Sequence, residues 1–316
     1  MSLDLAAIRT AHARIRPHIV RTPVLTNEWL DAACGGRLFF KCENLQHVGA
    51  FKARGATNAI FSLSDTEAAH GVATHSSGNH AAAVARAARL RGIPAFIVMP
   101  SNSNPAKIRN VERYGGRITL CEPTHAARET ACARLIAETG AALIHPFNDF
   151  RVMAGQGTAA LELLEEHPEL DVILCPVGGG GLLCGTAVAA KSLHPAIRII
   201  ATEPAGADDA ARSLRAGHIV PAPRIDTIAD GLRTTLGENN FPLIQRYVDD
   251  VVTVSEAGII TAMRRLWEEL KIIVEPSAAV PVAAILEGKV SVTGRRAGII
   301  LSGGNVDLDA LPWTRP

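Results

Sequence analysis

Short apolar runs alternate with longer stretches of helical periodicity along most of the chain. Residues 95–99, 172–177 and 297–301 are almost continuously apolar, which is typical of β-strands that are covered on both faces. Residues 79–90 and 256–270 have apolar side chains at helical spacing. Because strand and helix patterns follow one another in turn, the chain is predicted to have an α/β fold with parallel strands and right-handed crossover connections.

The same patterns predict the remaining elements. Further strands are expected at residues 37–43, 72–75, 117–121, 142–144, 197–202 and 251–254. Further helices are expected at residues 5–19, 57–63, 105–114, 123–138, 153–166, 182–192, 207–216 and 277–287. Pro105 suits a helix start because proline is favoured in the first turn, and Ser255 is a favourable N-cap for the helix that follows it.

Composition and charge limit the classes of function. The chain has 316 residues, enough for two modest domains with hydrophobic cores. Its formal net charge of +1 gives no overall field that would attract nucleic acid or a membrane surface. No window of about 18 uncharged apolar residues predicts a transmembrane helix, and residues 1–4 lack the basic-then-apolar order of a signal peptide. The six cysteines show no CxxC spacing, so we expect reduced cysteines in a cytoplasmic protein.

Lys52 occupies an unusual position for a lysine. It follows Phe51 in the stretch 49–56 and stands just before the helix predicted at residues 57–63. A lysine amine held in a pocket with a lowered pKa can form a Schiff base with a carbonyl compound. A solvated lysine near a helix start explains the residue better when it is considered alone, so the chemical interpretation depends on other parts of the sequence.

Two glycine-containing stretches supply that support. Gly178, Gly179, Gly180 and Gly181 stand between an apolar strand and a helix, so their backbone N–H groups can surround a phosphate group. A dinucleotide site of the GxGxxG type is the main alternative, and the consecutive glycines and the preceding lysine argue against it. Ser302 begins a second stretch, Ser-Gly-Gly-Asn, directly after the last predicted strand.

The lysine stretch, the glycine run and residues 302–305, in this order, resemble the fold type II enzymes that depend on pyridoxal 5'-phosphate (PLP), the tryptophan synthase β-like family. The resemblance extends over residues 15–308 and is greatest to serine racemases and serine/threonine dehydratases. It implies two open, twisted, mostly parallel sheets flanked by helices, a homodimer, and a site between two domains. The implied bounds are residues 71–147 for a small mobile domain, inserted in a large PLP-binding domain of residues 1–70 and 148–316.

The resemblance also implies roles for the residues around the cofactor. Lys52 would form the Schiff base with PLP and, once released, take the proton from the substrate's Cα. Phe51 would pack near the cofactor ring, although a core aromatic residue explains it equally well. Ser302 would hydrogen-bond the pyridine nitrogen, where a neutral hydroxyl does not enforce a positive charge; a turn serine is the plainer alternative. Gly231 and Glu275 match positions that line the family's cofactor pocket.

Ser76, Ser77, Gly78, Asn79 and His80 lie at a predicted strand-to-helix turn, where exposed N–H groups and the helix dipole suit a substrate carboxylate. An N-capping serine or asparagine is the plainer explanation and is compatible with that role. The resemblance places Asn79 near the 3'-oxygen of PLP. It matches Ser77 to the serine that faces Cα opposite the lysine in serine racemases, and a base on each side would permit racemisation.

Arg128 and Phe147 bear on the choice of substrate and reaction. Arg128 matches a family arginine near the distal end of the substrate, where it would favour an acidic or polar β-substituent by bidentate hydrogen bonding. A surface arginine on a helix is an equally good explanation. Phe147 departs from the serine racemases, which tend to carry a polar residue there, and agrees with dehydratases.

Glu203, Ala207 and Asp209 form a candidate cation site. Two carboxylates and a backbone carbonyl, completed by water, suit a hard divalent cation such as Mg²⁺. The segment 203–209 resembles the divalent-cation site of serine racemases, and the ion would be structural. Acidic residues at a helix start, favoured by the helix dipole, are the plainer explanation.

The function expected from these residues is a PLP-dependent ammonia-lyase that acts on a small 3-hydroxy amino acid. Serine and threonine are the default substrates, and 3-hydroxyaspartate or a bulkier phenylserine-type substrate are variants. An amino acid racemase with side elimination is the first alternative. A non-catalytic protein that binds PLP or senses an amino acid is the second, and the intact lysine, glycine and serine motifs argue against it. Regulation by a nucleotide stays open.

Overall fold

The strands form two separate sheets in the part of the chain that the computed structural model describes, residues 2–76, 78–103 and 105–314. These strands are β1 Val24–Leu25, β2 Arg37–Cys42, β3 Val72–His75, β4 Ala95–Pro100, β5 Arg117–Cys121, β6 Ala142–Leu143, β7 Val172–Pro176, β8 Arg198–Pro204, β9 Asp250–Val254 and β10 Arg296–Leu301. The six-stranded sheet has the order β1-β2-β10-β7-β8-β9, and the four-stranded sheet has the order β5-β4-β3-β6.

Helices pack against both sheets. They are α1 Leu5–Ile15, α2 Glu28–Cys34, α3 Lys52–Phe61, α4 Asp65–Ala68, α5 Asn79–Arg91, α6 Pro105–Arg113, α7 His125–Thr139, α8 Phe150–Glu166, α9 Gly181–Leu193, α10 Asp209–Ala216, α11 Phe241–Tyr247, α12 Glu256–Leu270 and α13 Pro276–Leu286. Short 3₁₀ turns lie at Arg16–His18, Glu43–Leu45, His47–Gly49, Ala205–Ala207 and Asp230–Leu232. None of the helices in the described ranges combines the length and the hydropathy needed to cross a lipid bilayer.

The six-stranded sheet is parallel except for β1, which runs antiparallel to β2. Apolar residues of α1, α8, α9 and α11 cover one face, and those of α2, α12 and α13 cover the other. Both faces of β2, β7 and β10 are therefore buried. This explains why these strands have nearly continuous apolar sequences rather than alternating ones.

The four-stranded sheet is parallel throughout and comes from one continuous stretch, residues 72–143. Apolar residues of α3, α5 and α6 cover one face, and α7 covers the other. The six-stranded sheet takes strands from both sides of this stretch. The predicted fold of two mostly parallel sheets flanked by helices is therefore confirmed, while the domain bounds at residues 71 and 147 stay a prediction.

Some helix bounds differ from the sequence prediction. α1 ends at Ile15 instead of residue 19, and the next three residues, which include Pro17, form a 3₁₀ turn. α10 begins at Asp209 instead of residue 207, because Ala205–Ala207 also forms a 3₁₀ turn. The helices α2, α4 and α11 were not predicted, since elements of seven or fewer residues contain too few turns to show a period.

The start of α3 matters most for function. The helix begins at Lys52 itself, not after it at residue 57 as predicted. Polar Arg54, Thr57 and Asn58 are buried along with the apolar residues of α3, so the sequence shows no clean apolar stripe. A 3.0 Å hydrogen bond from the N–H of Phe51 to the carbonyl oxygen of Ser302 ties the start of α3 to the end of β10.

A buried set of charges, the Arg54 cluster, joins α3 to α8 and to the end of β2. The Arg54 guanidinium donates to Glu43 at 2.7 and 2.8 Å and to Glu162 at 2.9 and 2.8 Å. Lys41 donates to Glu162 at 2.7 Å. Burial raises the pKa of Glu162, but its contact with His12 and its hydrogen bonds and charge interactions with Arg54 and Lys41 outweigh burial and hold that pKa far below its usual range. Two positive and two negative charges are thus paired away from water, as buried charges require.

Candidate active site

The carboxyl ends of the parallel strands in both sheets border one cavity. β2 leads through two 3₁₀ turns to Lys52, β7 leads to Gly178, β10 to Ser302 and β3 to Ser76. In open parallel sheets this edge is where ligands bind. The predicted site residues that line the cavity are Phe51, Lys52, Ser76, Gly78, Asn79, His80, Arg128, Gly178, Gly179, Gly180, Gly181, Gly231, Glu275 and Ser302.

Lys52 presents its amine to this cavity. Nζ donates a 2.8 Å hydrogen bond to the carbonyl oxygen of Pro146 and lies 5.1 Å from the centre of the Phe51 ring. Desolvation lowers the pKa of Lys52 to about 8, although the charge of Glu275 acts in the opposite direction. A larger fraction of this amine is neutral near pH 7 than for an ordinary lysine, as a nucleophile or a base requires.

The glycine run connects β7 to α9, and no side chain in the described part of the chain caps the N-terminus of that helix. Gly180 has a φ of +96°, which favours glycine. A Cβ atom at Gly179 would lie 2.3 Å from Cγ of Phe147, so this position has no room for a side chain. The run thereby keeps the first N–H groups of α9 uncovered, and such groups bind anions well.

Asn79, at the start of α5, is hydrogen-bonded to two segments beside the six-stranded sheet, one before α13 and one after β10. Its side-chain amide donates to both carboxylate oxygens of Glu275 at 3.0 and 3.1 Å. Its side-chain oxygen accepts a 2.9 Å hydrogen bond from Asn305. Burial and, to a smaller extent, the charge of Asp230 raise the pKa of Glu275 to about 7, against the opposing effect of the hydrogen bond from Asn79. These contacts hold the two sides of the cavity together on the predicted cofactor side.

The loop before α5 carries the predicted carboxylate-binding residues. Oγ of Ser76 accepts a 3.2 Å hydrogen bond from the N–H of Gly78. His80 is buried, and its Nε2 lies 3.1 Å from the carbonyl oxygen of Ile144. Burial lowers the pKa of His80 well below its usual value, so the ring is neutral and oriented by Ile144. Ser77 lies outside the described residues, and its role as a second base stays a prediction.

Ser302 and Gly231 lie at two further edges of the cavity. Ser302 is buried at the end of β10, and the adjacent Gly303 pairs with Ala50 in an antiparallel bridge. Gly231 donates its N–H to Oγ of Ser277 at 3.0 Å. Both loops are therefore fixed by hydrogen bonds to neighbouring segments.

The two residues expected to influence the choice of substrate both line the cavity. Arg128, on α7, is half-buried, and its Nε makes a hydrogen bond of 3.4 Å to the carbonyl oxygen of Thr124. A bond of this length does not fix the guanidinium group firmly. The ring of Phe147 packs edge-on against His145, with 4.7 Å between ring centres, and faces Gly179.

Several charged residues of the cavity have no counterpart among the sequence predictions. Lys107 of α6 forms an ion pair with Asp230, and Arg233 lies nearby on the same wall as Asp230. Lys107 and Asp230 are 123 residues apart, and neither stands in a recognisable motif. Of the residues on this wall, only Gly231, the neighbour of Asp230, was predicted from the sequence to line the cofactor pocket.

The predicted cation-binding residues lie apart from the cavity. The Glu203 carboxylate accepts hydrogen bonds from the N–H groups of Ala210 at 3.1 Å and Ala211 at 2.8 Å. Asp209 accepts a 2.9 Å hydrogen bond from the N–H of Leu236. Burial is the main cause that raises the pKa of Glu203 to about 8 and that of Asp209 to about 6; backbone hydrogen bonds oppose this shift, and neighbouring acidic residues support it.

Ala207 ends the 3₁₀ turn between these two acids. Among the described residues, no group of three or more histidine, cysteine, aspartate or glutamate side chains could hold a metal ion. A cation here would therefore depend on Glu203, Asp209, a backbone carbonyl and water. The metal site stays a prediction.

Residues 15–303 match the family model described as "Pyridoxal-phosphate dependent enzyme". The chain belongs to this family. Its residues also fit the cofactor, since the uncapped start of α9 suits a phosphate and Lys52 is an amine of lowered pKa in the same cavity. The individual roles of the cavity residues in this PLP-dependent enzyme stay predictions.

The similarity to known proteins covers almost the whole length of this PLP-dependent enzyme. The beta-hydroxyaspartate dehydratase of Paracoccus denitrificans is 51% identical over 303 residues, which are 96% of each chain. The serine racemase of Arabidopsis thaliana is 53% identical over 313 residues, 98% of this chain and 95% of the relative. The structure of maize serine racemase superposes with a TM-score of 0.96 at 51% identity and covers 99% of this chain and 97% of its own. These similarities confirm the predicted family and fold.

Proposed function

We propose that the protein is a PLP-dependent ammonia-lyase that converts a small 3-hydroxy amino acid into the corresponding 2-oxo acid and ammonia. The observation that carries this proposal is the position of Lys52, with its lowered pKa, in one cavity with the start of α9 and the loop before α5. The 51% identity to a beta-hydroxyaspartate dehydratase supports the reaction type. We expect serine, threonine and 3-hydroxyaspartate as substrates.

PLP in this cavity would supply the electron sink for the negative charge that develops at the substrate's Cα. Lys52 would take the Cα proton, since its amine borders the cavity and loses its own proton more readily than an ordinary lysine. The N–H groups of Gly178–Gly181 and of α9 would hold the phosphate. Phe51 would pack against the ring, and Ser302 would hydrogen-bond the pyridine nitrogen.

Other residues would position the substrate and the cofactor. The backbone N–H groups of residues 76–80 would bind the substrate's α-carboxylate at the start of α5. Asn79 and Glu275 are already held to each other and would support the cofactor. Arg128 would bind a polar or acidic β-substituent, because its guanidinium is only loosely held by its own helix. This favours 3-hydroxyaspartate over a bulkier phenylserine-type substrate.

Racemisation of the same amino acids is a second candidate function. The 53% identity to the Arabidopsis serine racemase favours it. It requires a base on the side of Cα opposite Lys52, the role predicted for Ser77. Phe147 favours dehydration as the main reaction, because a racemase is expected to have a polar residue at this position.

A divalent cation would have a structural role. Glu203, Asp209 and the Ala207 carbonyl would bind Mg²⁺ together with water. Asp209 also accepts a hydrogen bond from Leu236, on the segment that supplies Leu232 to the cavity wall. A cation would therefore stabilise one wall of the cavity without contacting the substrate.

We also propose a domain arrangement, an oligomeric state and a cellular location for the protein. An inserted small domain at residues 71–147 would move relative to the remainder when substrate enters, since the cavity lies between the two sheets. The family resemblance supports a homodimer. A cytoplasmic location is expected from the reduced state proposed for the cysteines.

One panel of substrates tests the proposed reaction. Both enantiomers of serine, threonine, 3-hydroxyaspartate and phenylserine are incubated with the PLP-loaded protein, and the 2-oxo acid, ammonia and chirality of the recovered substrate are measured. A dehydratase releases equal amounts of 2-oxo acid and ammonia. Inverted substrate without 2-oxo acid would instead establish a racemase, and unchanged substrate throughout would contradict both functions.

A further inference from the structure

An ion pair joins the two sides of the cavity at residues that the proposed reaction does not use. Lys107, on α6 beside the four-stranded sheet, pairs with Asp230, in a 3₁₀ turn on the side of the six-stranded sheet. Both residues line the cavity. A Cβ atom at Gly78 would lie 3.6 Å from Nζ of Lys107. The ammonium group therefore also borders the loop that is predicted to bind the α-carboxylate.

This ion pair is weak enough to exchange partners. The side chains of Lys107 and Asp230 are 20% and 40% exposed, and ion pairs with this access to water contribute little net stability. A lysine ammonium has three N–H donors on a flexible stem, so it can turn toward a new acceptor. A carboxylate on a bound ligand is chemically equivalent to the carboxylate that Asp230 supplies.

The surrounding charges favour an anionic ligand group. The cations Lys52, Lys107, Arg128 and Arg233 line the cavity against the acidic side chains of Asp230 and Glu275, and Asp230 is the ion-pair partner of Lys107. Arg233 is held by hydrogen bonds to a backbone carbonyl. Lys107 is the cation whose charged atom borders the loop before α5, so a second carboxylate near the first would meet it.

We propose that Lys107 is a specificity-determining residue that leaves Asp230 and pairs, together with Arg128, with the second carboxylate of a dicarboxylic 3-hydroxy amino acid. This inference rests on the proposed function and names the substrate class within it. In this arrangement Asp230 competes with the substrate for Lys107. Removing Lys107 and removing the charge of Asp230 therefore have opposite effects on a dicarboxylic substrate.

Kinetics of the PLP-loaded enzyme test the exchange. The measured quantity is the ratio of kcat/KM for 3-hydroxyaspartate to kcat/KM for serine. Lys107→Met should lower this ratio by about 10- to 100-fold, because a charge-assisted hydrogen bond is lost for one substrate only. Asp230→Asn should raise the ratio by about two- to fivefold, because the competing ion pair is lost.

Two further variants serve as controls. Lys107→Arg keeps the positive charge and should recover most of the ratio. Lys191→Met removes a lysine that pairs with Asp249 at 2.8 Å and does not line the cavity, so it should leave the ratio unchanged. A ratio that falls in Asp230→Asn would overturn the proposal, because Asp230 would then be positioning Lys107 instead of competing for it. Equal losses for both substrates in Lys107→Met would also overturn it.

Binding measurements separate this inference from the proposed reaction. Succinate and butyrate have four carbons each and differ by one carboxylate, and calorimetric titration measures their binding to the holoenzyme. Lys107→Met should weaken succinate binding and spare butyrate, and Asp230→Asn should strengthen succinate binding. This result would stand even if no 3-hydroxy amino acid were turned over. Succinate binding that is equal in all variants would contradict the role of Lys107 while leaving the reaction intact.

Discussion

Replacing Arg54 with methionine removes the centre of the buried Arg54 cluster. The guanidinium makes four hydrogen bonds of 2.7 to 2.9 Å to Glu43 and Glu162 and one of 3.1 Å to Thr158. It also makes two longer ones of 3.5 Å, to Val20 and Thr22. A methionine side chain is unbranched and similarly long, but it has no hydrogen-bond donor. The substitution therefore leaves two carboxylates in a region that water does not reach.

The expected loss of stability follows from the charges that remain. Glu162 keeps the ammonium group of Lys41 at 2.7 Å. Glu43 keeps a 2.6 Å hydrogen bond from the Thr22 hydroxyl and, among the described residues, no cation in hydrogen-bond contact. Breaking a buried ion pair by removing one partner typically costs about 3–5 kcal/mol, because the other charge is left uncompensated. This is a large part of the roughly 5–15 kcal/mol that stabilises a typical domain.

Urea unfolding near neutral pH measures this loss as a shift of the midpoint at constant slope. Arg151→Met is the matched control, since Arg151 donates to Asp149 at 2.8 Å in a partly exposed pair. We expect the control to lose less than about 1 kcal/mol. The double variant Arg54→Met/Glu43→Gln should be more stable than Arg54→Met alone, because the unpaired charge has been removed.

Two results would refute this reasoning. Equal losses in Arg54→Met and Arg151→Met would mean that burial of the cluster has no energetic consequence. A double variant less stable than Arg54→Met would mean that the loss comes from packing, not from the uncompensated Glu43 carboxylate.

Three further outcomes are expected. The folded-state pKa of Glu162 lies below its unfolded value of about 4.3. The stability that ionised Glu162 contributes is therefore fully present above that pH and lost as the pH falls. The difference in unfolding free energy between wild type and Glu162→Gln should shrink toward about pH 3, and a constant difference would contradict the pairing. Gly179→Ala places Cβ 2.3 Å from the Phe147 ring and should lower the unfolding free energy by about 1–3 kcal/mol, measured with urea. Adding Phe147→Ala should restore this stability, and a double variant that stays destabilised would show that the strain arises from another contact. Mg²⁺ should raise the melting temperature of the wild type but not of Glu203→Gln, and identical melting with Mg²⁺ or a chelator would count against the cation site.

Features with local sequence signals were predicted best. β7 and the glycine run are contiguous, and strand burial on both faces produces an apolar run that a single sequence reveals. The place of Lys52 in the cavity was predicted because it stands beside Phe51 in a short motif. The α/β class followed from the alternation of strands and helices, and the two-sheet arrangement from the family resemblance. The start of α3 was missed because three of its buried residues, Arg54, Thr57 and Asn58, are polar.

Features that depend on distant residues were not predicted. Arg54 pairs with Glu43, 11 residues away, and with Glu162, 108 residues away, and each residue alone suggests a solvated surface position. Lys107 and Asp230 meet only because α6 and a 3₁₀ turn face the same cavity. Tertiary contacts of this kind leave no periodicity or motif in the sequence.

The attachment of PLP to Lys52 is the central claim, and reduction of the PLP-loaded protein with borohydride followed by peptide mass spectrometry tests it most directly. The account predicts a pyridoxyl modification on the peptide that contains Lys52, and no visible cofactor absorbance in Lys52→Ala. A modification on Lys41, Lys107 or another lysine, with Lys52 unmodified, would contradict it.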